Sequence, residues 1–174
     1  MSPRRESEPQ WLTPDELTAW MGLMAMVEAL PSALDAQLKR DAGINGFEYY
    51  VLAALSDAPE HTLRMSELAL LARGSLSRLS HAVGRLEKAG WVARRPNPED
   101  GRTTDAWLTP EGMKQLERIA PGHVREARRL VIDVLTPTQL AQLGRAARAV
   151  VAQADPAMAA FLGDGGPANA RRDA

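Results

Sequence analysis

Apolar residues recur along this chain mostly at the three- and four-residue spacing of helices, and two short stretches past the middle read instead as strands. At three places a threonine stands directly before a proline: Thr13-Pro14-Asp15-Glu16, Thr109-Pro110-Glu111 and Thr136-Pro137-Thr138-Gln139. Threonine is a good N-cap and proline suits the first helical position, while Glu16 and Gln139 stand where a capping box closes. Glu111 meets the positive end of its helix. Helices are therefore expected to begin near residues 14, 110 and 137.

The first helix carries Leu17, Trp20, Leu23, Met24, Val27, Leu30, Leu34 and Leu38 at helical spacing, and Pro31 is expected to kink or split it. Gly43-Ile44-Asn45-Gly46 reads as a break, followed by a second helix over 47–56. Residues 62–64 suit a short strand. Ser66 is expected to cap a short helix to about Ala72, Arg73-Gly74 to make a turn, and a longer helix to run over 75–89 until Gly90, a natural C-terminal stop. Residues 91–96 and 103–108 read as two strands around a loop that contains Pro98, Asp100 and Gly101. The helix after Thr109 is expected to bend at Pro121-Gly122 and continue over 124–135, ahead of a last helix to about Ala154. The first ten or so residues and 163–174 have the composition of disordered tails.

Over residues 65–108 these elements follow one another as short helix, turn, longer helix and hairpin, the order of a reader of double-stranded DNA. Placed at 100° per residue, Leu76, Leu79, Val83 and Leu86 of the longer helix fall in one narrow arc, expected to be the buried seam. The opposite arc holds Ser77, Arg78, His81, Gly84, Arg85 and Lys88. Short polar side chains let a helix enter the major groove while arginine reaches base edges. Gly84 costs about 1 kcal/mol of helix stability relative to alanine, and on this face it would permit close approach of the backbone to a sugar–phosphate chain. In the hairpin, Arg94 and Arg95 precede the tip and Arg102 follows it, positions from which a guanidinium can enter a minor groove. Asp100 stands where an ion pair would hold Arg102 extended. A solvated amphipathic helix and a charged edge hairpin that resists aggregation fit the same residues and remain open on pattern alone.

Charge sharpens the picture. The whole chain carries a net charge of −1, which by itself argues against a nucleic-acid partner. Its distribution argues the other way. Between Arg64 and Arg102 there are eight basic and four acidic residues, a balance of +4 that leaves −5 for the remainder. A molecule that turns one face to phosphates and keeps the rest repelled has this arrangement. With 174 residues and 45% hydrophobic content, the chain can bury the core of one domain. There are no cysteines, which excludes disulfides and thiol chemistry. The N-terminus has no apolar leader and no continuous apolar run of about 18 residues is present, so a cytoplasmic protein without a membrane partner is expected.

Several motifs in fixed order carry a resemblance. Leu86-Glu87-Lys88-Ala89-Gly90-Trp91-Val92, Asp100-Gly101-Arg102, Leu108-Thr109-Pro110-Glu111-Gly112 and Leu135-Thr136-Pro137-x-x-Leu140 look like, in turn, the end of the recognition helix, the wing, the wing-to-helix junction and the final helix start of the MarR family of winged helix-turn-helix regulators. The resemblance spans roughly residues 13–155. It implies a mainly α (α+β) fold with a winged helix-turn-helix DNA-binding lobe over 46–109 and dimerisation helices over 13–45 and 110–155, with disordered ends at 1–12 and 156–174. It further implies a homodimer with interlocked terminal helices, recognition helices in successive major grooves, wings in flanking minor grooves, and a small ligand that alters DNA affinity. By the same resemblance Ser75, Ser77, Arg78, Ser80, His81 and Arg85 contact bases or phosphates, and Arg102 makes the wing contact. His81 stands where the family often has arginine and brings less charge. Repression is the family's commoner mode.

A two-fold dimer also follows from the broad apolar faces of the first and last two helices, among them Leu130, Val131, Val134, Leu135, Leu140, Leu143, Ala147, Val150 and Val151, which a small winged-helix core cannot cover alone. Such a dimer expects an inverted-repeat operator with half-sites about 10–10.5 bp apart. Trp20, Met24, Tyr49 and Tyr50, with Arg73, are candidates for binding a planar aromatic anion such as a phenolic carboxylate, although each also suits ordinary packing. No cofactor is implied. His61, His81 and His123 lie far apart with no metal-site spacing. No Gly-rich phosphate loop or nucleophile elbow points to an enzyme. A winged-helix interaction scaffold without specific DNA binding is the alternative.

Overall fold

A computed structural model of the chain describes residues 9–156 and 158–159. The expected disordered tails lie largely outside these residues. Among the described residues six α-helices and three strands follow in the order α1 (Pro14–Ala42), α2 (Gly46–Asp57), β1 (Thr62–Arg64), α3 (Met65–Leu71), α4 (Leu76–Lys88), β2 (Val92–Pro96), β3 (Thr104–Leu108), α5 (Pro110–Ala127) and α6 (Pro137–Ala154). The chain divides into two compact units, one ending at Ala33 and the other beginning at Leu34.

The Thr-Pro starts form as their chemistry dictates. Thr13 Oγ1 accepts the Glu16 amide at 3.3 Å while Glu16 Oε2 accepts the Thr13 amide at 2.8 Å. Thr136 and Gln139 make the same reciprocal pair, and Thr109 Oγ1 accepts the Gly112 amide at 3.0 Å. A further box opens α2, where Asn45 Oδ1 accepts the Glu48 amide and Glu48 Oε2 accepts the Asn45 amide, both at 2.9 Å. By pattern alone Gly43 to Gly46 reads only as a break.

Three expectations need correction. α1 runs unbroken through Pro31; the ring removes one backbone donor but the turns on either side continue. α3 begins at Met65 directly out of β1, and Glu67 closes its first turn by accepting the Arg64 amide at 3.3 Å, so Ser66 is not its cap. α5 continues through Pro121, and the irregular turn comes later, at Arg128–Ile132, where the Asp133 amide donates to the Arg128 carbonyl five residues back. By length and composition alone α1 is also apolar enough to cross a bilayer, a test that helices covered by protein pass as well. No continuous apolar run was visible because Glu28 and small residues interrupt it while leaving the average apolar.

In the second unit, Leu38, Val51, Leu52, Leu55, Leu68, Leu79, Val83, Leu86, Val92, Ala106, Leu108, Leu116 and Ile119 form one core. The sheet is antiparallel in the order β1-β3-β2, with Leu63 opposite Ala106, Val92 opposite Leu108 and Pro96 opposite Thr104. Gly112 ties α5 to the sheet's base. A Cβ there would lie 2.0 Å from the Trp91 carbonyl oxygen, which itself accepts the Thr109 amide at 3.0 Å. α6 buries none of its residues within the chain.

Candidate nucleic-acid interface

α4 is built on an N-cap, a tight turn and an apolar seam. Ser75 Oγ accepts the Arg78 amide at 3.1 Å. The turn before it holds Arg73 at φ 54°, in the left-handed region, with its side chain exposed. The buried seam is Leu79, Ala82, Val83 and Leu86. Leu76, expected in that seam, is 56% exposed: in the first turn a side chain leans past the helix end, beyond the elements that cover the later turns.

The opposite face is exposed at Ser77, Arg78, Ser80, His81, Arg85 and Lys88. Five predicted residues, Ser75, Ser77, Arg78, His81 and Arg85, share one open cleft of about 460 Å³ with Asn45 and Phe47 of the α2 start. The Arg78 guanidinium sits over the Phe47 ring, 4.2 Å from its centroid. Arg85 Nε donates to Glu48 Oε1. Neither Phe47 nor Glu48 was a candidate from sequence, because both contacts join residues more than thirty positions apart. Ser80 and Lys88 are exposed outside the cleft lining. Gly84 has no heavy atom within 4 Å of where a Cβ would stand.

The wing is held by a polar knot at its root. Asn97 Nδ2 donates to both Asp105 carboxylate oxygens at 2.9 and 3.0 Å, and Asn97 Oδ1 accepts the Glu99 and Asp100 amides at 2.9 Å. Asn97 and Asp105 are buried, and their mutual pairing satisfies groups that burial alone would penalise. Asp100 holds Arg102 through the backbone, Oδ1 accepting the Arg102 amide at 3.1 Å; among the described residues it makes no ion pair with the Arg102 guanidinium. The Arg102 and Arg95 side chains are exposed. Arg94 is turned toward α4, where Glu87 accepts from its amide and guanidinium.

The candidate effector residues are distributed differently. Trp20 and Met24 belong to the N-terminal unit and are exposed. In the second unit Tyr49 packs partly into the core and meets Tyr50 edge-on at 6.2 Å between centroids, Tyr50 being mostly exposed. Tyr49 also lies 4.3 Å from the His123 ring. His123 Nδ1 is 3.2 Å from Gln37 Oε1, a pure acceptor, so Nδ1 is assigned the proton. Gln37 is buried and donates through Nε2 to Asp41 at 2.8 Å. Burial holds the His123 imidazole below its ordinary range. Nothing near His123 in the sequence announces these contacts, since its partners on α1 and α2 are more than seventy residues away.

A sequence model of the MarR family matches residues 42–103. The crystal structure of Sco3205, a MarR family transcriptional regulator from Streptomyces coelicolor in complex with DNA, is 45% identical. That match covers 87% of this chain and 95% of that one, with a TM-score of 0.81. AbsC, a MarR family transcriptional regulator from the same organism, is 34% identical, with 83% and 97% of the two chains covered and a TM-score of 0.78. The HTH-type transcriptional repressor YetL of Bacillus subtilis is 33% identical over 81 residues, 47% of this chain and 48% of that protein. The chain thus matches about half the length of such curated relatives. On the extent and identity of these matches, the chain belongs to the MarR family of winged helix-turn-helix transcriptional regulators.

Proposed function

We propose that this regulator binds double-stranded DNA sequence-specifically as a homodimer, with α4 in the major groove and the β2–β3 wing against the neighbouring minor groove. The observation that carries the reading is the division of α4: Leu79, Ala82, Val83 and Leu86 are buried while Ser77, Arg78, Ser80, His81, Arg85 and Lys88 all face outward on one element. A helix of this breadth with basic side chains over a short-chained rim fits a groove about 12 Å wide. The solved structure of Sco3205 is of a complex with DNA, which supports the same use here.

The homodimer is supported by uncovered apolar surface. Trp11, Leu17, Trp20, Met21 and Val27 are exposed in the N-terminal unit, and Val150 in α6. A second copy is the partner whose surface matches by symmetry. Two α4 helices related by a two-fold axis call for an inverted repeat with half-sites about one helical turn apart. A repressor role accords with the name of YetL. Release by a planar aromatic anion completes the proposal, with Tyr49, Tyr50 and Arg73 as candidate contacts in the second unit.

Selection of bound sequences from random duplex DNA tests the reading. The expected product is an inverted repeat whose affinity falls steeply with salt. Binding that prefers no sequence over bulk competitor at physiological salt would overturn it in favour of an interaction scaffold. Titration of the selected complex with aromatic acids then tests for an effector.

A further inference from the structure

We infer that the first turn of α2 sets the sequence preference of α4, Phe47 orienting Arg78 and Glu48 orienting Arg85. The inference rests on α4 being the DNA-reading helix and concerns residues that need not touch DNA themselves. Phe47 and Glu48 are adjacent in α2, while Arg78 and Arg85 stand seven positions apart in α4, two turns along one side of the helix. Two neighbouring side chains of one helix thus serve the two arginines of the other.

Each hold is specific to an arginine. The Glu48 side chain is 6% exposed, and its two oxygens are committed, Oε2 to the Asn45 amide and Oε1 to Arg85 Nε. A carboxylate so buried needs its partners, since an unpaired buried charge is strongly unfavourable. The Arg85 side chain nonetheless remains 56% exposed. With Nε tied to Glu48, the guanidinium plane is set and, among the described residues, its η nitrogens are left for an outside acceptor. A guanine edge is read by two parallel donors in one plane. Arg78 is held by a ring face, 4.2 Å from the Phe47 centroid. Phe47 occupies that place because residue 74 is glycine: a Cβ there would lie 2.5 Å from Phe47 Cζ and 2.7 Å from Cε2.

An unheld arginine sweeps many rotamers and collects whichever phosphate is near. One whose plane is set in advance has already lost that freedom and favours the base that fits it. Phe47 and Glu48 are therefore positioning residues, and their effect belongs to discrimination between sequences more than to overall attraction.

The test repeats the random-DNA selection, with affinities on single-base variants of the chosen site, using the full chain and its Arg78→Ala, Arg85→Ala, Phe47→Leu and Glu48→Gln variants. Each alanine variant marks the base position its arginine reads. Glu48→Gln is expected to lower discrimination at the Arg85 position by at least about fivefold, the low end of a bidentate contact, and Phe47→Leu to do so at the Arg78 position. Affinity for non-specific DNA should hold or rise, because Glu48→Gln removes a negative charge and Phe47→Leu removes none. Equal weakening on every sequence, or relaxation at a position unlinked to the matching arginine, would overturn the inference and leave a structural role. If the unsubstituted protein selects no sequence, the DNA-reading proposal falls and this inference with it. If it selects one and both variants select it with equal strength, only this inference falls. Should Glu48→Gln fail to fold, Glu48→Asp answers the same question, keeping the charge while withdrawing the carboxylate by one methylene.

Discussion

The Arg94 guanidinium folds back onto Glu87 of α4, with Nε 2.8 Å and Nη2 2.5 Å from Glu87 Oε2, while the Arg94 amide donates to Oε1 at 3.0 Å. The pair joins the last turn of the helix to the first wing strand and is only partly exposed. Sequence pattern groups Arg94 with Arg95 and Arg102 as a DNA contact. Its carboxylate partner points to a role in holding the wing. Arg94→Ala is expected to cost about 0.5–1 kcal/mol of stability, as partly exposed ion pairs do, and to weaken DNA binding less than Arg102→Ala. Urea unfolding and DNA titration of the two variants check this; equal losses of DNA affinity would return Arg94 to the interface.

Gly112→Ala should be severely destabilising. The added methyl would lie 2.0 Å from the Trp91 carbonyl oxygen and 2.8 Å from Leu108 Cδ1. The first is backbone fixed by the Thr109 amide and cannot rotate away. A loss of about 3 kcal/mol, the upper end for overpacking, is expected in urea unfolding. A loss under about 1 kcal/mol would mean that α5 shifts at little cost.

Gly84→Ala makes the opposite case. Its Cβ would meet nothing within 4 Å, so the variant should gain about 1 kcal/mol of stability from helix propensity. If α4 brings this backbone against a sugar–phosphate chain, DNA affinity should fall while the melting temperature rises. Unchanged affinity in the stabilised variant would show that the helix does not approach DNA there.

His123 should give the protein a stability slope just below neutral pH. Burial lowers its folded pKa, whereas in the unfolded chain it titrates near about 6.5. Between these values the unfolded state holds more protons, so stability increases with pH and is lost as pH falls through that window. The urea midpoint should therefore drop more between about pH 7.5 and 5.5 for the unsubstituted chain than for His123→Gln. An equal or steeper drop in the variant would assign the slope to other groups.

What was readable from sequence was what local chemistry decides. The Thr13, Thr109 and Thr136 caps close within three residues, and Leu79, Val83 and Leu86 reveal their face by spacing alone. Leu76 shares that spacing yet is exposed, because burial depends on which elements reach the helix end. The Asn45–Glu48 box was written in the chain but masked by the glycines on either side of Asn45. The long-range partners were not readable. Nothing near Arg85 announces Glu48, and nothing near His123 announces Gln37, since a carboxylate or amide finds its partner only after the helices pack. Asn97 and Asp105 were passed over for a related reason: polar residues in a hairpin are ordinarily solvated, and only the register of β2 on β3 brings these two together.

The placement of aromatic side chains also makes the protein its own optical reporter. Of its four tryptophans, Trp11 and Trp20 project from the N-terminal unit, 83% and 50% exposed, while Trp91 packs against the core beside Gly90 and Trp107 lies in β3 opposite Ala93. Emission from the first pair follows whatever comes to cover α1, and emission from the second follows the root of the wing. Phenylalanine at either pair would leave one signal standing, so that changes at the N-terminal unit and at the root of the wing can be watched separately in the same chain without an added label.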